Sequence, residues 1–385
     1  MSLASFLKPG KASLPSLLDG GAVRMVSSGR IAIGLALRAM GVGPGDTVLV
    51  PAYHSPSMIP PVHWCGAAVV FYRVHPDTTI DLEDIVAKID GRVKVVMATH
   101  FFGFPQDLRA LRALCDAQGI GLLEDCAHAF FGHHAGTPVG ATGDYAIGSS
   151  MKFYPIYEGG CLVSRRHPLA LPLHSAGPGF EAKAALAALE AAFAHGRLQA
   201  LRLALALPLR LKSALWNALK SRRPAGAGVP ALAPDSSDSS FNFDPRWIDK
   251  RSSLFSRLTV RFASRARIVA LRRRHYLALQ QALDGVPGCR PLFPALPEGA
   301  CPWIFPLLVD QADAVAASLQ AEGVPMVRFG ATLWPGVDAG VCANSVALGS
   351  HLIGFPCHQE LRAPELARLC EATRRACGAR AALAA

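Results

Sequence analysis

"GIGLLEDCAHAFFG", residues 119 to 132, is the stretch on which the fold turns. A short apolar run behind a glycine ends in two adjacent acids, Glu124 and Asp125, and His128 stands three residues further on. Four more runs have the same character: "TVLVPAYH" from 47, "AAVVFYRV" from 67, "KVVMATHFF" from 94 and "YAIGSS" from 145. Strands that are covered on both faces lack polar alternation, so these runs read as members of a parallel sheet. Helical patterns lie between them, notably "PQDLRALRALCDAQG" (105–119) and the capped "SSGRIAIGLALRAMGVGPGD" (27–46). The expectation is an α/β fold, a mostly parallel sheet flanked by helices. In such sheets the ligand crevice lies beyond the carboxyl ends of the strands. His54, Asp125, His128 and Ser149 all fall just past predicted strand ends.

A second stretch, "SSMKFYPIYEGG" (149–160), raises a question of chemistry. A lysine usually sits at the surface, yet Lys152 lies between two predicted strands in a segment of aromatics and a Glu-Gly-Gly turn. Asp125 alone reads as a helix-capping acid with a partly buried histidine beside it. Taken together, a strand-end carboxylate and a lysine are what a pyridoxal phosphate site requires. The acid keeps the pyridine nitrogen protonated and the amine condenses with the aldehyde, while the cofactor is the electron sink. "SSGR" (27–30) opens a helix whose backbone N–H groups favour an anion such as the cofactor's phosphate. Ser149 and Ser150 offer hydroxyls beside the lysine.

The ordered set of motifs resembles the DegT/DnrJ/EryC1/StrS family of sugar aminotransferases of fold type I. It is carried by residues 27–54, "FYRVHPDTTIDLEDI" (71–85), 99–132, "VGATGDYAIGSS" (139–150) and "KFYPIYEGG" (152–160). Weaker echoes follow in "RRRHYLAL" (272–279), "EGVPMVRF" (322–329) and "FPCHQEL" (355–361). The resemblance implies that Lys152 carries pyridoxal 5'-phosphate and that Asp125 faces its ring nitrogen. It places His128 near the ring's 3-oxygen, and Ser28, Gly29, Arg30 and Ser149 around the phosphate. "PAYHS" (51–55) matches the segment that supplies a group stacked on the ring, which leaves Tyr53 or His54 for that role because the next position is Ser55. The resemblance also implies an amino-acid donor, a nucleotide-activated keto sugar as acceptor, and a homodimer. "SMKFYPIYEGG" is shorter than the usual segment and resembles a subgroup with Lys-aromatic-x-Pro before the glycines. Dehydrating relatives carry histidine in place of the lysine, which Lys152 argues against. A different carbonyl acceptor, or a non-catalytic binding protein on this fold, remains an open alternative.

Composition narrows the classes. A chain of 385 residues can bury a substantial core. Its formal net charge of +11 favours anionic partners, but no zinc-finger, RNP-type or basic-aromatic array points to nucleic acid. The ten cysteines include no C-x-x-C pair, so reduced thiols and a cytoplasmic protein are expected, with no metal. No apolar run approaches the roughly 20 residues of a membrane span. Residues 1–179 are expected to form the cofactor-binding α/β domain. Residues 180–240 read as a basic helical insertion with a Pro/Gly/Ser linker, and 241–385 as a connecting helix with a small α+β domain. Within the insertion, Arg197, Arg202, Arg210 and Lys212 leave peripheral contact with an anionic membrane through 180–225 as a minor alternative to covering the domain, and Pro208 should kink the helix. One long helical stretch is expected from Asp249 to Leu283, with Arg257, Arg261 and Arg265 along one solvated face.

Overall fold

The computed structural model describes residues 1–7, 13–205 and 241–384. The seven strands of its main sheet are β1 (Ala22–Val26), β2 (Thr47–Pro51), β3 (Ala68–Tyr72), β4 (Val93–Thr99), β5 (Gly121–Asp125), β6 (Tyr145–Gly148) and β7 (Gly160–Ser164). Their order across the sheet is β1-β7-β6-β5-β4-β2-β3. β3, β2, β4, β5 and β6 are parallel, whereas β7 runs antiparallel to both β6 and β1. Every residue of β2, β6 and β7 is buried, which is why their sequences are apolar without alternation. The helices of this part are α1 (Gly29–Ala39), α2 (Pro60–Trp64), α3 (Leu82–Lys88) and α4 (Arg109–Gln118). α1 starts where Ser28 accepts a hydrogen bond from the Ile31 amide, and it lies across β6 and β7.

The insertion begins with α5 (Pro178–Ala194) and α6 (Gln199–Ala204). α5 buries Phe180, Ala184, Ala188, Ala192 and Phe193, and Phe180 packs on Trp247 at 5.2 Å between ring centroids. This described part therefore covers the fold. Arg197 is buried, and its guanidinium donates to the Glu365 carboxylate (2.9 Å) and the Glu360 carbonyl (2.7 Å). Arg202 is exposed. Pro208, Arg210, Lys212 and the Pro/Gly/Ser linker lie outside the described residues.

The expected long helix from Asp249 is two helices, α7 (Leu254–Phe262) and α8 (Arg265–Leu283). Two serines impose the break. Ser253 accepts from the Ser256 amide and Ser264 from the Arg267 amide, so each opens its own helix. Consequently Arg257, Arg261 and Arg265 do not form one stripe: Arg257 donates to the Ser252 carbonyl and Arg265 pairs with Asp19. Beyond α8, β8 (Cys289–Pro291), β9 (Ile304–Val309) and β10 (Leu352–Pro356) make an antiparallel sheet. It is accompanied by α9 (Ala312–Ala321), α10 (Ala339–His351) and α11 (Ala363–Ala384). The largest apolar cluster runs without interruption from Tyr53, Phe101 and Phe102 on the main-sheet side to Phe305, Phe329 and Phe355 here. The second sheet is thereby locked against the end of the first where the strands terminate. All ten cysteines are free thiols.

Candidate active site

Three elements meet beyond the carboxyl ends of β4, β5 and β6. Asp125 is the last residue of β5 and is buried; its Oδ1 accepts from the Ala127 amide at 2.9 Å and its Oδ2 from the Thr99 hydroxyl at 3.5 Å. Past β6 the chain makes a single 3-10 turn, Ser150–Lys152, directly after Ser149. That turn carries Lys152 back over the strand ends. The N-terminus of α1 closes the third side. Ser28, Gly29, Arg30, Asp125, His128, Ser149 and Lys152 line one cleft together with Thr99, Ser55 and Phe329. Seven of the nine residues singled out in the sequence are thus brought together.

Tyr53 and His54 are not. Tyr53 is fully buried and donates its hydroxyl to the Phe329 carbonyl at 3.0 Å. His54 is equally buried, stacked on Phe71 at 5.0 Å. Its Nδ1–H points at the Pro51 and Ala52 carbonyls, and its Nε2 accepts from the Trp334 amide at 3.1 Å. Both rings turn into the core because an apolar cluster and a set of carbonyls satisfy them there. Neither of these two rings, expected to stack on a bound cofactor, lines the cleft; of this segment Ser55 does, its hydroxyl 2.8 Å from that of Ser57.

His128 faces the cleft between two aromatics. Trp303 stacks on it at 4.0 Å and Phe102 lies near-parallel at 5.7 Å. Phe102 sits at φ 58°, a left-handed conformation that bulky residues rarely adopt, and its carbonyl accepts from the Trp303 amide at 2.8 Å. Lys152 Nζ lies over the opposite partner, 4.5 Å from the centre of the Trp303 ring. Burial, and then the charge of Lys152, hold His128 well below the usual imidazole range, so it is neutral. Its Nδ1 is buried and has no hydrogen-bond partner among the described residues. Trp303 and Phe329 come from the C-terminal part and were not singled out in the sequence. The aromatic that opens "WIFPLLV" and the one that ends "EGVPMVRF" were the available signals.

Elsewhere, His100, Glu124 and Cys126 place their donor atoms within 4.8 Å of one another. Glu124 already accepts from His100 Nε2 (3.0 Å) and from the Gly140, Thr142 and Gly143 amides. His100 Nδ1 accepts from the Gln106 amide at 2.9 Å. The lone pairs a cation needs are engaged, so this trio is a structural brace.

The glycine-glycine turn after Lys152 now has its reason. A Cβ on Gly160 would stand 2.3 Å from the Ser28 carbonyl carbon and 2.6 Å from the Gly29 nitrogen. β7 therefore approaches the start of α1 so closely that only glycine fits, which holds the anion-favouring amides against the sheet. Gly160→Ala is expected to destabilise the fold by about 1–3 kcal/mol through overpacking and to weaken binding of a phosphate-bearing ligand. Denaturant titration and a binding titration check this, and normal values in both would contradict the close approach.

His54 and His128 also make a pH prediction. Burial brings His54 down to about 4, its carbonyl bonds opposing only in part, and holds His128 well below the usual imidazole range. The unfolded chain protonates both near pH ~6.5, before the folded protein does. Their contribution is complete above that pH and is lost as pH falls toward the folded values, at up to about 1.4 kcal/mol per pH unit for each group. Melting temperature should drop on acidification, and His54→Gln should flatten the drop; an unchanged slope counts against the assignment.

The sheet order, the lone antiparallel strand beside β6 and the site at the strand ends define an α/β protein of fold type I, the architecture of pyridoxal-phosphate-dependent transferases. Residues 17–172 match the model of the DegT/DnrJ/EryC1/StrS aminotransferase family. Pyridoxal 5'-phosphate is the cofactor the family uses. GDP-perosamine synthase of Vibrio cholerae is 37% identical over 142 residues, 36% of this chain and 39% of that one. The chain thus spans about two fifths of the length of that curated relative. The dTDP-3-amino-3,4,6-trideoxy-alpha-D-glucose transaminase of Streptomyces venezuelae is 31% identical over 263 residues, 61% of this chain and 65% of its own. A putative sugar aminotransferase of Streptococcus pneumoniae, solved in PLP and PMP forms, shares the fold: its PMP form has a TM-score of 0.66 at 16% identity over 95% of this chain and 88% of that one. The cleft fits the cofactor on two independent grounds. The orphaned Nδ1 of His128 needs a polar partner, and the start of α1, Ser28 to Arg30, lines the cleft where a helix N-terminus favours an anion.

Proposed function

We propose that this protein is a pyridoxal-phosphate-dependent aminotransferase that moves an amino group from an amino acid to the carbonyl of a nucleotide-activated keto sugar. The observation that carries the reading is the convergence of Lys152, Asp125, His128, Ser149 and the start of α1 on one cleft. The bound cofactor would supply an electron sink that stabilises negative charge at the substrate carbon. Lys152 would hold the cofactor through its aldehyde, and its amine would move a proton at the substrate carbon as base and then acid. Asp125 keeps the ring nitrogen protonated. His128, neutral and held between its two stacked neighbours, would offer a ring nitrogen to the cofactor's ring oxygen. The amides of Gly29 and Arg30, with the Ser28 and Ser149 hydroxyls, hold the phosphate.

The sugar-nucleotide acceptor is favoured by the names of the two curated relatives, both of which concern nucleotide sugars, and by the basic balance of the chain. The protein works in the cytoplasm as a homodimer. The apolar Leu254, Leu258 and Phe262, exposed along one face of α7, support the dimer, and no described helix is long and apolar enough to cross a membrane. The test is a half-reaction with a panel of amino acids, followed by a panel of nucleoside-diphosphate keto sugars. A cofactor band that no amino acid converts to its amino form would defeat the aminotransferase reading. Conversion without any sugar acceptor would move the substrate to another carbonyl compound.

A further inference from the structure

Arg272, on α8, is among the largest fully buried side chains of the protein and forms no ion pair with a carboxylate among the described residues. Instead Nη2 donates to the Lys152 carbonyl at 2.7 Å, and Nη1 to the carbonyls of Trp303 (3.0 Å) and Pro302 (3.1 Å). Nε donates to Gln359 Oε1 at 3.0 Å, while Gln359 Nε2 donates to the Phe153 carbonyl at 2.8 Å. The guanidinium lies over the Phe153 ring at 4.5 Å. A buried cation without a counter-charge is costly, and an apolar side chain of similar volume serves stability at least as well. Its hydrogen bonds, however, reach the two residues whose side chains must meet, Lys152 and Trp303.

We infer that Arg272 is a positioning residue for Lys152. A single 3-10 turn holds its own backbone weakly, and Lys152 ends such a turn. The planar fork bonds the carbonyl of Lys152 and that of Trp303 at once. It thereby fixes the amine relative to the indole it lies over and to the imidazole stacked on that indole. Lysine at position 272 has three donors on a single flexible atom and cannot span the same acceptors. The inference rests on the proposed role of Lys152, so its test is built to be read without the cofactor.

In the apoprotein, trace acylation followed by peptide mapping gives the reactivity of Lys152 relative to exposed Lys94. Arg272→Met should change that ratio by about threefold or more, with Arg272→Lys intermediate. In the loaded enzyme the amino-acid half-reaction of Arg272→Met should slow about 10²-fold, the penalty of a reacting group displaced by about 1 Å, while cofactor affinity changes little. A folded Arg272→Met whose ratio and half-reaction both stay within about twofold of the wild type overturns the inference. If that variant does not fold, Gln359→Leu takes its place: a smaller change in the same ratio supports positioning, and an unchanged ratio overturns it. Failure of the wild type to take up pyridoxal phosphate would strike the cofactor reading alone, because the acylation ratio still decides the role of Arg272.

Discussion

Replacing Lys152 by alanine is expected to leave a folded protein that transfers amino groups at least about 10³-fold more slowly. The side chain is only half-buried, so its removal opens no sealed cavity. One contact it loses, the cation over the Trp303 ring, is worth about 0.5–2 kcal/mol. The 3-10 turn survives because its bonds are backbone ones, from the Lys152 amide to the Ser149 carbonyl and from the Phe153 amide to that of Ser150. What disappears is the amine itself, and the described lining of the cleft offers no second lysine to replace it. The wild type provides the direct check. Borohydride reduction of the loaded protein and peptide mapping should place the pyridoxyl group on Lys152. The group found on another lysine, or an alanine variant that keeps ordinary turnover, removes Lys152 from the mechanism.

What the sequence made legible follows from how local each signal is. Parallel strands buried on both faces write themselves as unbroken apolar runs, so β2 to β6 were readable with their boundaries nearly in place. The polar residues that end them, Asp125 and Ser149, were readable for the same reason: a polar group directly after such a run stands at the strand-end crevice. Tyr53 and His54 have the same position in the pattern and a different fate. Nothing local distinguishes a strand-end ring that faces the cleft from one that folds back, because the choice depends on Phe329, Phe71 and Trp334, which are distant in sequence or offer only a ring. Trp303 and Arg272 were invisible for a related reason. Each acts through backbone carbonyls and stacked faces more than a hundred positions away from Asp125 and Lys152, and carbonyls leave no trace in the sequence. The division between α7 and α8 is the opposite case. Ser253 and Ser264 are capping residues at the correct places, and a continuous helical pattern obscured them.

Asp125→Asn should separate binding from chemistry. The amide is isosteric with the carboxyl, and its oxygen can still accept from the Ala127 amide, the bond that orders the turn after β5. Thr99 lies at 3.5 Å and can satisfy either atom of the new side chain. Folding and much of the cofactor affinity, which the proposed mechanism assigns largely to the start of α1 and to Lys152, should therefore persist. The negative charge does not persist, and a neutral amide cannot hold a proton on a pyridine nitrogen in a site this buried. A hydrogen bond to a charged group is worth about 1.5–3 kcal/mol, which at 1.4 kcal/mol per decade sets a floor of about 10- to 10²-fold on the half-reaction. The loss should exceed that floor, since the protonated ring is what withdraws electrons from the reacting carbon. His128→Ala should cost less in rate, because it removes one contact to the ring and leaves its electronic state to Asp125. It should cost more in stability, because Phe102 and Trp303 lose the ring they enclose. A well-folded Asp125→Asn protein that converts amino acids at a near-normal rate would leave the carboxylate a structural cap, and the cleft would need another explanation for an acid buried at its floor.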